Sequence, residues 1–112
     1  MTEIKIIKKN NLIVGLILTG HTEKDNYGQD VLCAAISALT QSTCLGILKI
    51  LNVPAKYEKN EKKGFLKLDL SMCEAKQIEK SQVLLETMHE SMKDISIENE
   101  KYMKVEVYNE IH

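Results

Sequence analysis

The apolar run from Leu12 to Thr19 constrains the fold more than any other feature of this sequence. The run contains no charged residue, and its continuous apolar character predicts a strand that is buried on both faces. Asn10-Asn11 directly before it favours a tight turn, and residues 3–8 alternate well enough for a preceding strand. Gly15 inside the run indicates a bulge or a close backbone approach. The chain is therefore predicted to begin with two strands joined by a tight turn.

A loop and a long helix are predicted next. Residues Gly20 to Gln29 contain two glycines, a histidine, an aspartate and an asparagine, which are typical of a loop. From Asp30 to about Leu51 the apolar residues follow helical spacing and give a wide apolar face. We expect this helix to be buried against the sheet, and Pro54 prevents its continuation.

The second half of the chain predicts a hairpin, a second helix and a last strand. Residues 55–59 and 64–70 form the hairpin, in which leucines alternate with charged residues. The segment Ser71-Met72-Cys73-Glu74 has the spacing of a capping box and predicts the start of the helix. The apolar stripe of this helix consists of Ile78, Leu85, Met88, Met92 and Ile95. Tyr102 to Tyr108 alternates again as a strand. The order ββαββαβ predicts a single α+β domain over residues 1–112, in two layers, with a five-stranded mixed sheet and two helices.

Composition excludes some classes of function. The net charge is −1 and every basic residue is a lysine, so the chain lacks the surplus of cations and the arginines of a nucleic-acid-binding protein. No apolar run approaches the ~20 residues of a membrane span, and no signal peptide is recognisable, so we expect a cytoplasmic protein without membrane association. The three cysteines indicate free thiols. A core without Trp and with one Phe favours dimerisation.

No cofactor is predicted. The sequence contains no CxxC, HxxxH or HExxH spacing, so a zinc site has no local support. His89 lies beside charged residues in the second predicted helix and is interpreted as a solvated surface residue. His112 is the last residue.

Cys33 and His21 are the best candidates for catalysis. If Asp30 caps the first helix, Cys33 falls at the third helical position, where unpaired N–H groups and the helix dipole favour a thiolate. The same N–H groups could stabilise an oxyanion. His21 follows the preceding strand, and the end of that strand and the start of the helix are expected at the same edge of the sheet. A nucleophile, a base and oxyanion donors would then meet, as in a cysteine peptidase.

Spacing alone leaves alternatives open. A free cysteine is often only a small buried hydrophobe, and many histidines in loops have no role. Cys73 also falls in a predicted first turn, but it has no obvious histidine partner upstream, and its role is interpreted as structural or incidental. Cys44 lies too deep in the first helix for activation and is interpreted as a packing residue. Asp30 either caps the helix or orients His21, and both roles are compatible. Its charge opposes a thiolate at Cys33 unless an imidazolium outweighs it.

At these positions the sequence resembles the ribosomal-processing cysteine proteases of Firmicutes and related bacteria, over nearly the whole chain. The interval of twelve positions between His21 and Cys33 agrees with the family, whereas Thr22 departs from the alanine that commonly follows the histidine. The residues that carry the resemblance are Gly20-His21, Gly28, Asp30, Cys33-Ala34-Ala35 and Ser37-Ala38.

The resemblance implies a specific activity. Family members remove the N-terminal extension of large-subunit ribosomal protein twenty-seven by cleavage after a Phe, act as homodimers, and carry catalytic residues that correspond to His21 and Cys33. It also implies a mobile loop around the histidine, for which Gly20 and Gly28 would be hinges. The partner would be the extension peptide of the ribosomal protein precursor. The alternatives are a non-enzymatic ribosome-associated interaction protein and a redox-sensing thiol domain.

Overall fold

The chain folds into a sheet covered on one face by two helices. The computed structural model describes residues 1–20 and 27–110. The strands are β1 (Thr2–Lys9), β2 (Leu12–Thr19), β3 (Lys56–Asn60), β4 (Phe65–Asp69) and β5 (Met103–Glu110). The helices are α1 (Tyr27–Leu45), which continues into a π-helical segment (Gly46–Ile50), and α2 (Ala75–Ile97). The predicted order ββαββαβ and the α+β class are confirmed.

The sheet is mixed, with the strand order β3-β4-β2-β1-β5. Only β1 and β5 pair in parallel among the described strands, and the other neighbours are antiparallel. The apolar run of β2 therefore lies at the centre of the sheet. Asn10 and Asn11 both have positive φ, as the tight turn between β1 and β2 requires.

Gly15 marks a bulge, as predicted. Gly15 pairs with Ile7 whereas Ile13 pairs with Lys8, so Val14 has no opposite residue on β1. A Cβ on Gly15 would also lie 3.2 Å from the Cβ of Ile7, which is a tight contact. Both interpretations of this glycine, a bulge and a close approach, therefore apply.

The core lies between the sheet and the two helices. On β1 the residues Thr2, Ile4 and Ile6 are buried, whereas the alternate residues Glu3 and Lys5 are partly exposed, so one face of the sheet is covered. The helices complete this core with aliphatic side chains and methionines, among them Leu32, Ile36, Ile47, Leu85, Met88 and Met92. Ile78 and Ile95 pack against it, so the predicted apolar stripe of α2 is confirmed.

The capping box of α2 is three residues later than predicted. Glu74 is the N-cap, and its backbone N–H donates to Oε1 of Gln77 at 3.0 Å. Ser71 instead belongs to the turn after β4, because its N–H donates to the carboxylate of Asp69 at 2.9 Å. Cys73 therefore precedes the helix rather than lying in its first turn.

The segment Val31–Ile50 corrects the expectation that no apolar run approaches the length of a membrane span. By length and composition alone it could cross a membrane, although no such run was expected from the sequence. In the fold, Leu32, Ile36 and Ile47 of this segment are buried in the core. The core helix of a globular domain passes the same test, so the segment is weak evidence for a membrane span.

Candidate active site

Cys33 lines a cavity at one edge of the sheet. The side chain is partly exposed and opens into a cavity of about 240 Å³ between α1, the ends of β1 and β2, and the β3–β4 hairpin. Leu18, Ile36, Phe65 and Leu66 give this cavity apolar walls. Of the three thiols, Cys33 alone lines it.

The start of α1 differs from the prediction. The helix begins at Tyr27, so Asp30 and Gly28 lie in its first turn, and Cys33 lies in its second turn. Asp30 is therefore not the residue before the helix, and the predicted loop ends before Gly28. The first four N–H groups of a helix lack intrahelical acceptors, and the influence of the dipole declines within the first turn. The activation of Cys33 by the helix terminus is therefore weaker than expected.

His21 lies outside the described residues, whereas Gly20, which directly precedes it in the chain, lines the same cavity as Cys33. Gly20 has φ +99°, and a Cβ on it would overlap the carbonyl oxygen of Met1. Its N–H donates to the carbonyl oxygen of Gly64 at 2.9 Å. Position 20 therefore requires a glycine. The bond to Gly64 also joins the end of β2 to the hairpin that closes the cavity.

Thr2 contributes a buried hydroxyl to this cavity. Its side chain is 2% exposed, and its Oγ1 has no hydrogen-bond partner among the described residues. A buried hydroxyl without a partner is costly, because it has lost its bonds to water.

Charged residues of the hairpin line the side of the cavity. Lys59 Nζ lies 3.1 Å from Oε1 of Glu61 and 3.4 Å from Oε1 of Gln41 on α1. The bond to Gln41 joins β3 to α1 at the side of the cavity that Cys33 lines. The sequence analysis missed Thr2, Lys59 and Phe65. Phe65 could have been found from strand pairing. It lies opposite Thr19 at the end of β2, and this end of the strand leads to His21.

The two other thiols are poor nucleophiles. Burial raises the pKa of Cys44 to about 12. Burial, followed by the negative charge of Asp69, raises the pKa of Cys73. Since the thiolate is the reactive form, both stay protonated near neutral pH. Cys44 is 1% exposed, which agrees with the predicted packing role.

His89 is not a surface residue, contrary to the sequence interpretation. Its side chain is 5% exposed, and its Nε2 has no hydrogen-bond partner in the described part of the chain. Burial, followed by the positive charge of Lys93, lowers the pKa of His89. The charged neighbours in the sequence misled the interpretation, because charges adjacent in the chain do not decide whether the ring itself is buried, and the His89 ring packs into the interior. His89 does not line the Cys33 cavity.

Within residues 1–20 and 27–110, no group of three or more His, Cys, Asp or Glu side chains could hold a metal ion.

Solved structures share this fold over nearly the whole chain. The crystal structure of SMU.848 from Streptococcus mutans has a TM-score of 0.87 at 23% identity, and the match covers 98% of this chain and 99% of that chain. The essential ribosomal processing protease Prp from S. aureus, in complex with a substrate peptide, has a TM-score of 0.82 at 18% identity and matches 96% of this chain and 100% of that chain. The same protease with a covalently linked product peptide has a TM-score of 0.81 at 19% identity, with 96% and 100% covered.

A sequence-family comparison is more specific than these structural matches. The model of the family described as cysteine protease Prp matches residues 1–104. A search of curated proteins gave no match. The matched region contains every residue that lines the Cys33 cavity.

Proposed function

Because this chain belongs to the Prp family of cysteine proteases and is therefore a cysteine peptidase, we propose that Cys33 is its nucleophile and His21 its general acid and base. One observation carries this assignment: Cys33 and Gly20, the residue next to His21, line one cavity. The raised pKa values of Cys44 and Cys73 argue against either as the nucleophile.

The reaction proceeds by acyl transfer through a thioester. The Cys33 thiolate attacks the scissile carbonyl carbon, and the tetrahedral intermediate collapses with loss of the amine, which takes a proton from the His21 imidazolium. Neutral His21 then removes a proton from water, which attacks the thioester and releases the carboxylic acid and Cys33. The unpaired N–H groups of the first turn of α1, which starts at Tyr27, are candidates for holding the oxyanion.

The substrate in this proposal is the N-terminal extension of large-subunit ribosomal protein twenty-seven. The fold shared with a ribosomal processing protease that binds a substrate peptide supports a peptide substrate of this kind. The apolar walls of the Cys33 cavity, which include Phe65 and Leu18, suit the Phe after which cleavage is expected. The reaction would take place in the cytoplasm, where ribosomes assemble.

A homodimer is also part of the proposal. The side of α1 that faces away from the core carries exposed apolar and small residues at helical spacing, which we call the outer stripe: Val31, Ala35, Ala38 and Leu45. Val31 and Leu45 are 51% and 52% exposed. An apolar stripe of this kind on a helix is typical of an association surface.

Cleavage of the extended precursor by purified protein tests the proposed function. We expect wild-type protein to shorten the precursor at one bond, and Cys33→Ala to reduce the rate by roughly a thousandfold or more, since the nucleophile is lost. Cys73→Ala is the matched control and should keep the activity of the wild type. Cleavage by Cys33→Ala at the wild-type rate would show that another group is the nucleophile. Failure of the wild type to cut this precursor would exclude the proposed substrate.

A further inference from the structure

A second cavity continues from the Cys33 cavity along α1. It has a volume of about 440 Å³ and lies between the C-terminal half of α1 and the edge strand β3. Gln41 and Lys59 line both cavities, so the two share one wall. We call this second space the distal cavity. Its apolar lining comes from Cys44, Leu45 and Leu48 on the helical side and from Tyr57 on β3.

The two cavities are aligned. Cys44 follows Cys33 by eleven positions, which places it on nearly the same side of the helix and about 16 Å further along its axis. An extended peptide advances about 3.3 Å per residue. A side chain in the distal cavity would therefore belong to a residue about five positions from a scissile bond held at Cys33.

The chemistry of the distal cavity suits an apolar group. Cys44 is neutral, since burial raises its pKa to about 12. The charged end of Lys59 is held by Glu61 and Gln41 on the side of the Cys33 cavity. Tyr57 and Leu45 are 38% and 52% exposed, which leaves apolar surface for a partner. Gln41, Ser42 and Lys49 also line the cavity, so it offers mainly apolar contacts beside a few polar groups.

The strand beside the cavity is open to an extended chain. Among the described strands β3 pairs with β4 alone, so its outer edge has backbone groups without a strand partner. Edge strands of this kind recognise peptides by added main-chain hydrogen bonds, while pockets for alternate side chains provide specificity. Lys59 and Tyr57 are two positions apart and thus face the same side, toward the cavities.

We propose that the distal cavity is a specificity subsite, which binds an apolar side chain of the peptide substrate about five residues from the scissile bond. The inference rests on the proposed function, because it takes Cys33 as the point of cleavage. The occupant is the peptide substrate because the two cavities lie next to each other along α1 and β3, with Gln41 and Lys59 as shared lining residues. The outer stripe, where we place a second copy, shares Leu45 with the distal cavity, whereas Val31, Ala35 and Ala38 of the stripe do not line it, and Tyr57 lines the cavity without belonging to the stripe.

Peptide binding to the inactive Cys33→Ala protein tests the subsite without requiring cleavage. The probes are two fluorescent peptides from the precursor of ribosomal protein twenty-seven, one with roughly eight residues on each side of the cleavage site and one with about three, since only the first can reach the distal cavity. Into this background we introduce Tyr57→Ala, since Tyr57 lines the distal cavity and lies outside the outer stripe. The control is Tyr108→Ala, since Tyr108 lies in the other edge strand with a similar exposure of 43% and does not line the cavity.

We expect Tyr57→Ala to raise the Kd of the long peptide about tenfold and to leave that of the short peptide unchanged, with no effect of Tyr108→Ala. Replacing by alanine the apolar residue that lies about five positions from the cleavage site should weaken binding to the same extent and not add to Tyr57→Ala. Equal affinity of the long and short peptides would overturn the proposal. The proposal would also be overturned if Tyr57→Ala changed the oligomeric state without weakening the binding of the long peptide. A second copy of the chain would then fill the cavity. Binding of the long peptide without cleavage by the wild type would refute the proposed function and retain the subsite.

Discussion

The two helices cover the same sheet but differ in what they leave exposed. α1 lines both cavities and carries the outer stripe of apolar and small residues. α2 buries its apolar stripe, exposes mainly Lys, Glu and Asp, and contributes no described lining residue to either cavity. α2 also exposes the single apolar side chains Val83 and Ile97, but the proposed nucleophile, the proposed subsite and the proposed association surface all involve α1.

Two buried polar atoms show the same contrast. Thr2 Oγ1 and His89 Nε2 are both buried and lack a hydrogen-bond partner among the described residues. Thr2 is a lining residue of the Cys33 cavity, whereas His89 lies on α2 and lines neither cavity. We therefore expect Thr2 to influence activity and His89 to influence stability alone.

The largest expected difference is in the reactivity of the thiols. At pH 7 iodoacetamide should modify Cys33 at least roughly a hundredfold faster than Cys44, because a thiol with a pKa of about 12 carries almost no thiolate. Cys73 should react at an intermediate rate, since it is partly exposed and its pKa is also raised. Mass spectrometry of time-resolved alkylation measures all three rates. His21→Ala should slow the modification of Cys33 alone, and equal rates at the three thiols would remove the chemical basis for a nucleophilic Cys33.

The next largest effect is expected on self-association through the outer stripe of α1. Ala38→Glu places a charge in the centre of the stripe at an exposed helical position, where alanine and glutamate have similar helix propensity. We expect the proposed dimer to dissociate, with Kd raised at least about tenfold, because burying an unpaired charge is costly. Analytical ultracentrifugation over a range of concentrations measures this change.

Val83→Glu is the matched control for the outer stripe. Val83 is an apolar residue of α2 with 75% exposure, and its substitution should leave self-association unchanged. If Val83→Glu dissociates the dimer and Ala38→Glu does not, then α2 and not α1 is the association surface.

A smaller effect is expected from Thr2→Val, which keeps the shape of the side chain and removes the hydroxyl. We expect kcat/KM to decrease about threefold to tenfold if the hydroxyl bonds the substrate, since one hydrogen bond contributes about 0.5–1.5 kcal/mol. Thermal stability should stay constant or increase, because the free protein loses an unsatisfied buried group. Enzyme kinetics combined with thermal unfolding separate the two effects. A loss of stability with unchanged kcat/KM would make Thr2 a structural residue.

The smallest effect concerns the pH dependence of stability. Burial and Lys93 lower the pKa of His89 in the folded state, so the unfolded state binds the proton more readily. Stability from this residue is complete above the unfolded pKa of about 6.5 and is lost as the pH falls below it. His89→Leu should flatten the decrease in Tm between about pH 6.5 and 5 and leave peptidase activity at neutral pH unchanged. An identical pH profile in wild type and variant would show that other groups cause the acid destabilisation.

Local patterns predicted most of the fold. The period-two strands, the turn at Asn10-Asn11, the bulge at Gly15 and the apolar stripe of α2 were all recognisable, because each depends on neighbours within a few residues. The errors also have local causes. The capping pattern at Ser71 predicted too early a start for α2, because the Ser71 N–H donates to Asp69 in the turn after β4 and Glu74 with Gln77 forms the observed box.

The sequence alone determined the order of elements, the candidate thiol and the family to which the chain belongs, since these depend on residue types and their spacing. The tertiary structure decided which groups share a space. The burial of His89, the unpartnered hydroxyl of Thr2, the bond between Lys59 and Gln41, and the continuity of the two cavities join residues that are distant in the chain. Their positions follow from strand pairing and from the packing of α1 on the sheet, and short-range patterns carry no information on either.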